Sequence, residues 1–339
     1  MTTTQMTTAA VTTVPALSND HTKDSISLLC WQCSRSLGPI TAVPLTGHGV
    51  WSCESCGVET ICEDGVWISL APQRVEYFKR FIADYEFIRS AEGRGSIDAG
   101  YYLALPYKDL SGNNIDQWKI RSCTFRYIER HLISPLEAVR NRPLRILDLG
   151  AGNGWMSYRL ALLGHSPVAV DLLTNDYDGL GAAMHFSGHV QPLFPRVQAE
   201  LDHLPFASSS FDLAIFNASF HYSEDYDRTL AEALRCTCSG GIVIIADTPW
   251  YADERSGRRM VEEKHAHFAT KYGFASNSIA NCEYLTPNRL SQLQGTQGVR
   301  WKTYKPFYGF QWLLRPLRAK LRNRRPPSHF RIYAAQVEG

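Results

Sequence analysis

Apolar positions recur along this chain with two periods, and the switches between them outline its elements. In QRVEYFKRFIADYEFIRSAEG, Val75, Phe78, Ile82 and Tyr85 fall at helical spacing, which predicts a helix laid on a core. A second helix is expected over residues 121–140. Beyond it, short apolar runs alternate with helical stretches: strands at RILDLG, SPVAVD, RVQAE, FDLAIFN and GIVIIAD, helices over 155–163, 179–186 and 226–236. Gly164 ends the first of these helices as a C-terminal cap. Such alternation predicts a mostly parallel, doubly wound α/β sheet covered on both faces. WKTYKP and HFRIYAAQV add two last strands. Ligands of such sheets bind beyond the carboxyl ends of the strands. Polar side chains stand there: Asp148, Asp171, Glu200, Asp202, Asn217 and Asp247.

The first of these strands runs into ILDLGAGNGW, where Gly150, Gly152 and Gly154 occupy alternate positions. A dinucleotide-binding turn needs a third glycine three residues after the second, so that helix and strand pack closely beside a pyrophosphate. That position is Trp155, and its indole argues against a pyrophosphate. Alternate glycines suit a broad turn under a cofactor without phosphates, with Asp148 in reach of a cationic group.

Before this region lie CWQC and CESC. Cys30 and Cys33 form the first pair and Cys53 and Cys56 the second, a spacing that offers four thiolates to one tetrahedral zinc. Four sulfur ligands leave no open position, so the expected zinc is structural, and so small a segment needs such a staple. His48, between the pairs, is a substitute ligand the site does not need. Nine cysteines in all, an odd number, fit a reducing compartment better than a disulfide framework. The first nineteen residues carry no charge and lack the pattern of a signal peptide, and no apolar run is long enough to span a bilayer. A cytoplasmic protein is expected, divided into a Thr-rich disordered tail (1–24), a zinc ribbon (25–70), a helical linker with a candidate substrate lid (71–140) and a cofactor-binding domain (141–339). Tyr101, Tyr102 and Tyr107, in an aperiodic aromatic stretch, are candidates for the pocket wall or for the core.

LDLGAGNG, the acid closing VAVD, the block AELDHLPFASSSFDLAIFN and the later SGGIVIIAD together resemble the class I S-adenosylmethionine-dependent methyltransferases, in the branch of the ubiquinone and menaquinone biosynthesis enzymes. The resemblance covers about residues 140–250. It implies a Rossmann-like, mostly parallel seven-stranded sheet and S-adenosylmethionine as cofactor. Carried over residue by residue, it implies Asp148, Gly150, Ala151, Gly152 and Gly154 at the methionyl end, Asp171 with Leu172 at the ribose, Glu200, Leu201 and Asp202 beside adenine, and Asn217 under the sulfonium. His221 and Tyr222, just past the fourth strand of this region, are the catalytic candidates, His221 as general base because an ordinary imidazole titrates near neutrality.

Charge bears on the acceptor. The net charge of +2 says little, but residues 284–337 hold eleven Lys or Arg and no Asp or Glu. Within residues 300–331, Trp312, Leu313, Leu314, Leu317 and Leu321 alternate with cations, which suits a packed surface helix, peripheral contact with an anionic membrane, or RNA phosphates. A zinc ribbon ahead of a methyltransferase domain also resembles bacterial 23S ribosomal RNA guanine-N1 methyltransferases. The ribbon is poor in cations, however, and the residues after Asn217 lack an Asn-Pro-Pro-Tyr motif. The expectation is methyl transfer to a small-molecule acceptor, with a lipophilic one included. The alternatives are an RNA base methyltransferase and a non-catalytic cofactor-binding protein.

Overall fold

The computed structural model describes residues 26–40 and 47–338, so the expected N-terminal tail lies outside the described residues. The chain opens with a hairpin of β1 (Ser27–Leu29) and β2 (Ser36–Pro39), followed by a meander of β3 (His48–Ser52), β4 (Glu59–Glu63) and β5 (Val66–Ile68). Four helices come next: α1 (Pro72–Ala91), α2 (Ala99–Ala104), α3 (Ile115–Ile128) and α4 (Ser134–Arg140). The alternating region then supplies β6 (Arg145–Leu149), α5 (Trp155–Leu162), β7 (Ser166–Asp171), β8 (Arg196–Gln198), β9 (Phe211–Asn217), α6 (Tyr226–Cys236) and β10 (Thr237–Ala246). The chain finishes with α7 (Glu254–Tyr272), α8 (Pro287–Gln297), β11 (Trp301–Tyr304), α9 (Phe310–Leu313), α10 (Arg315–Leu321) and β12 (Ile332–Gln336).

The seven expected strands lie in the order β8-β7-β6-β9-β10-β12-β11, parallel except for β12, which is antiparallel to both β10 and β11. Their apolar runs are continuous because both faces are buried. Ile146, Leu213, Ile215 and Ile244 enter one core, while Leu147, Ala214, Phe216 and Val243 alternate into the other. Three further strands extend the sheet to ten. β5 pairs in parallel with β8, Trp67 opposite Val197, and β4 and β3 follow outward. The ribbon therefore shares its backbone hydrogen bonding with the larger sheet. Its first hairpin is fastened too, by the Leu29 amide donating to Pro205 O at 2.8 Å and by Leu28 packed in the core that holds Phe206.

Two elements differ from expectation. The helix read over 121–140 begins earlier, at Ile115, and passes through a π-helical turn, Glu129–Ile133, before α4. Residues 180–186 form a 3-10 helix, with the Leu180 and Gly181 amides bonded back to Leu173 O and Thr174 O. Tyr101 and Tyr102 sit in the core, and Tyr102 Oη donates to Tyr177 O at 2.6 Å. Tyr107 is exposed, with the Arg126 and Arg159 guanidiniums over its ring, so none of the three walls the site described below.

Candidate active site

β6 ends at Leu149, and the chain must reverse within a few residues to enter α5. Gly150, Gly152 and Gly154 all take left-handed backbone, with φ of 76°, 56° and 76°, a region that strains any residue with a Cβ. At Gly150 space is a second constraint, because a Cβ there would lie 2.2 Å from Ser219 Cβ. The Gly150 and Ala151 amides donate to Val170 O on β7 at 2.8 and 3.0 Å. Asp171 closes the turn: its Oδ2 accepts from the Gly152 amide at 2.7 Å and its Oδ1 from the Leu173 amide at 2.9 Å. Burial raises the pKa of Asp171, and these amide donors oppose the shift.

These residues border a cleft. Gly150, Ala151, Gly152 and Asp171 form one wall, and Leu172, Leu201 and Asn217 join them from neighbouring strand ends. Glu200 and Asp202 also border it, beyond β8. The expected set is thus largely gathered in one place. Two members are not. Gly154 starts α5 with its open side toward Phe194 and Ala183. Asp148 is 2% exposed and faces away from the cleft. Its Oδ2 accepts from the Ser157 amide at 3.1 Å and from Ser157 Oγ at 2.8 Å, so it satisfies an amide in the first turn of α5 that has no partner within the helix. Burial pushes its pKa up to about 7.

The opposite wall comes from α1, where Phe78, Phe81 and Tyr85 face the cleft. Phe78 and Phe81 form an apolar cluster with Ile279, against which Leu172 and Tyr222 pack. Ion pairs tie both ends of the helix across the cleft. Arg74 Nε donates to both Glu200 oxygens at 2.9 Å and its Nη2 to Oε2 at 2.6 Å, while Arg89 Nε donates to Asp178 Oδ2 at 2.5 Å. The helix was legible from its period, but Val75 of the expected stripe is exposed and the buried face runs through Phe78, Phe81 and Ile88; the ion-pair partners lie 126 and 89 residues away, and no local signal marks them.

A second, larger cavity adjoins the cleft and shares Phe81, Tyr85, Arg89, Arg121, Ala218 and Tyr222 with it. Tyr222 therefore stands between the two, its hydroxyl pKa raised well above the ordinary value by burial. His221 lies in the second cavity and not in the cleft. Burial, with Lys264 and Arg121 nearby, lowers its pKa to about 3, so it stays neutral at ordinary pH. Its titration therefore departs from the near-neutral range expected of it as a base. Its Nδ1 is buried without a hydrogen-bond partner among the described residues.

Sequence reasoning missed Arg121. Its guanidinium lies 4.7 Å from the Trp118 ring centroid, and burial together with Arg94 and Arg89 lowers its pKa to about 10. Asp247, in the same cavity, takes left-handed backbone with φ 51°. Its Oδ1 accepts from Thr124 Oγ1 at 2.7 Å, its Oδ2 is buried without a partner, and burial raises its pKa to about 6.

In the ribbon the four expected cysteines converge, all sulfurs within 4.8 Å of one another. Cys30 to Cys56 is 3.6 Å and Cys33 to Cys53 is 3.5 Å. A tetrahedron with Zn–S bonds of about 2.3 Å has edges of about 3.8 Å, so the donor set fits zinc. The two turns are built alike: the Ser34 amide donates to Cys30 O at 2.9 Å and the Gly57 amide to Cys53 O at 2.8 Å. His48 is on β3 and outside the cluster.

Residues 147–245 match the family model described as a methyltransferase domain. They span β6 to β10, the strands that carry the glycine turn and the cleft. The chain carries a methyltransferase domain. Among curated proteins, it is 32% identical over 169 residues to a malonyl-[acyl-carrier protein] O-methyltransferase of Geobacter sulfurreducens, covering 48% of this chain and 53% of that one. It is 32% identical over 141 residues to a sarcosine/dimethylglycine N-methyltransferase of Halorhodospira halochloris, covering 42% and 50%. The chain spans about 40–60% of the length of the curated relatives it matches. Among solved structures, a putative sarcosine dimethylglycine methyltransferase from Galdieria sulphuraria aligns with a TM-score of 0.49 at 13% identity, covering 76% of this chain and 98% of that one. The methyltransferase domain thus matches on the strands that form the cleft, and the ribbon and α1 lie outside the matched span.

Proposed function

We propose that this chain transfers a methyl group from S-adenosylmethionine to a small-molecule acceptor, with the cofactor in the cleft and the acceptor in the adjoining cavity. The observation that carries the reading is the shared wall: the cleft bordered by the glycine turn and Asp171 has Phe81, Tyr85, Arg121 and Tyr222 in common with a second, larger cavity. The cleft suits a compact cationic cofactor. The glycine turn brings backbone to its wall without side chains, Asn217 Oδ1 is buried without a partner among the described residues, and Asp171 brings a carboxylate to the strand end. Asp171 and Glu200 would hold the ribose and adenine ends, and Leu172, Leu201 and Phe78 would cover the base. When bound, the cofactor supplies an electrophilic methyl group on a sulfonium.

The remaining work falls to this chain's own side chains. Alignment of two bound reactants supplies about 7–11 kcal/mol of a displacement barrier. Here α1 closes one side with Phe78 and Phe81, which keeps water from the meeting point. Arg121, at the wall between the cavities, favours an acceptor bearing an anionic group. Neutral His221 accepts or donates a hydrogen bond to the acceptor and holds no charge of its own. The relatives are named for malonyl-[acyl-carrier protein] and sarcosine/dimethylglycine, neither of them a nucleic acid, and this supports a small acceptor over RNA. We also infer that Cys30, Cys33, Cys53 and Cys56 hold one structural zinc.

The demethylated cofactor, S-adenosylhomocysteine, should raise the melting temperature of the protein by mass action. Gly152→Val and Asp171→Ala should each abolish the shift while remaining folded by circular dichroism. Stabilisation by NADH in place of S-adenosylhomocysteine would refute the cofactor assignment.

A further inference from the structure

Between β11 and β12 the chain passes along the mouth of the second cavity as α9 and α10. The two are nearly one helix: the Leu314 amide donates to Phe310 O and the Arg318 amide to Leu314 O, each at 3.0 Å. Phe310, Leu313, Leu314, Leu317 and Leu321 stand at i, i+3, i+4, i+7 and i+11, which places them along one stripe. That stripe faces solvent, with exposures of 75%, 65%, 43%, 55% and 78%. Phe307, 61% exposed, packs edge-on against Phe310 and lengthens it.

The helix is held in this orientation by its other side. Trp312, expected on the apolar face, is instead turned inward, stacked on Phe330 at 5.3 Å with the Arg315 guanidinium 3.7 Å from its ring centroid. Arg325 is tied to Glu263 at 2.9 Å and to Tyr251 Oη at 2.9 Å. Arg318, Lys320, Arg322 and Arg324 remain exposed beside the apolar row.

We propose that this stripe docks on an anionic lipid surface, so that the mouth of the second cavity lies against the lipid. Charge complementarity selects the occupant. With eleven cations and no acid over residues 284–337, a second copy would set like charges against each other. A nucleic acid would use the cations but leave six large apolar side chains in water, where patches of this kind are uncommon. An interfacial helix meets both demands at once, with its apolar side in the acyl boundary and its cations at the headgroups. Phe310, Trp312, Arg315 and Arg318 also line the second cavity, so a lipophilic acceptor can enter from the bilayer without crossing water.

Docking is testable whether or not the chain transfers methyl groups. The full chain should sediment at low salt with vesicles of equal parts phosphatidylglycerol and phosphatidylcholine, and stay in solution with phosphatidylcholine alone. Leu313→Gln with Leu317→Gln should weaken vesicle binding about tenfold or more, and leave the S-adenosylhomocysteine melting shift unchanged. Arg322→Gln with Arg324→Gln should weaken binding and flatten its salt dependence. The proposal fails if the unaltered protein ignores the anionic vesicles, or if the leucine pair binds them as tightly as the unaltered protein. It also fails if light scattering shows a dimer that the leucine changes dissolve while vesicles retain neither form.

Discussion

Asp148 shows what burial does to one carboxyl group. Its partners are the Ser157 donors, and its folded pKa, pushed up by burial to about 7, stands above the ordinary 3.8. Between those values the native protein keeps a proton that the unfolded chain has released, so stability falls as pH rises through this window and levels off above it. Asp148→Asn, which keeps the oxygen facing Ser157, should flatten that slope. Chemical denaturation of both proteins from pH 4 to 8 checks this, and a parallel slope in the variant would contradict it. The turn beside it was legible because glycines at alternate positions, and the left-handed backbone they permit, are local facts. Which way Asp148 faces depends on where α5 docks, and its neighbours in the chain do not record that.

Among the elements, α1 acts as a latch. Its apolar side covers the cleft and its arginines reach Glu200 and Asp178, acids far along the chain. Arg74 is partly exposed, whereas its partner Glu200 is nearly buried, with side-chain exposures of 36% and 10%. Removing the guanidinium leaves the carboxylate without its main donor and frees one end of the helix. Arg74→Ala should therefore weaken S-adenosylhomocysteine binding by on the order of tenfold, the scale of a charge-assisted hydrogen bond, with Arg74→Lys between the two. Calorimetric titration decides it, and equal affinities would mean that α1 covers the cleft without the pair. The helix itself was readable from its period. Its duty at the site was not, since an apolar stripe has the same appearance over a core and over a pocket.

At the scale of the whole molecule, the ribbon and the cofactor region are joined through one sheet. β5 is hydrogen-bonded to β8, and the chain leaving β8 carries Glu200 and Leu201 to the cleft. A closed four-thiolate zinc contributes about 10–16 kcal/mol in finger-like peptides. Its loss here should reach beyond the ribbon. Purified protein should contain one zinc per chain, and Cys30→Ser with Cys56→Ser should lose the metal, lower the melting temperature and weaken the S-adenosylhomocysteine shift. Elemental analysis with calorimetry tests this. A metal-free variant with unchanged melting and cofactor affinity would make the ribbon an independent attachment.

What the chain alone determined is what short-range geometry encodes. The order of strands and helices followed from period, the glycine turn from spacing, and the four-thiolate site from two CxxC pairs, because each needs only a few neighbouring residues to state its requirement. The tertiary structure decided the rest. It joined β5 to β8, turned His221 into a second cavity where burial removes its basicity, set Arg121 at the wall between two cavities, and drew Trp312 inward while leaving the leucines beside it in solvent. Desolvation and contact depend on what the fold brings alongside a residue from a hundred positions away, and no window of sequence contains that partner.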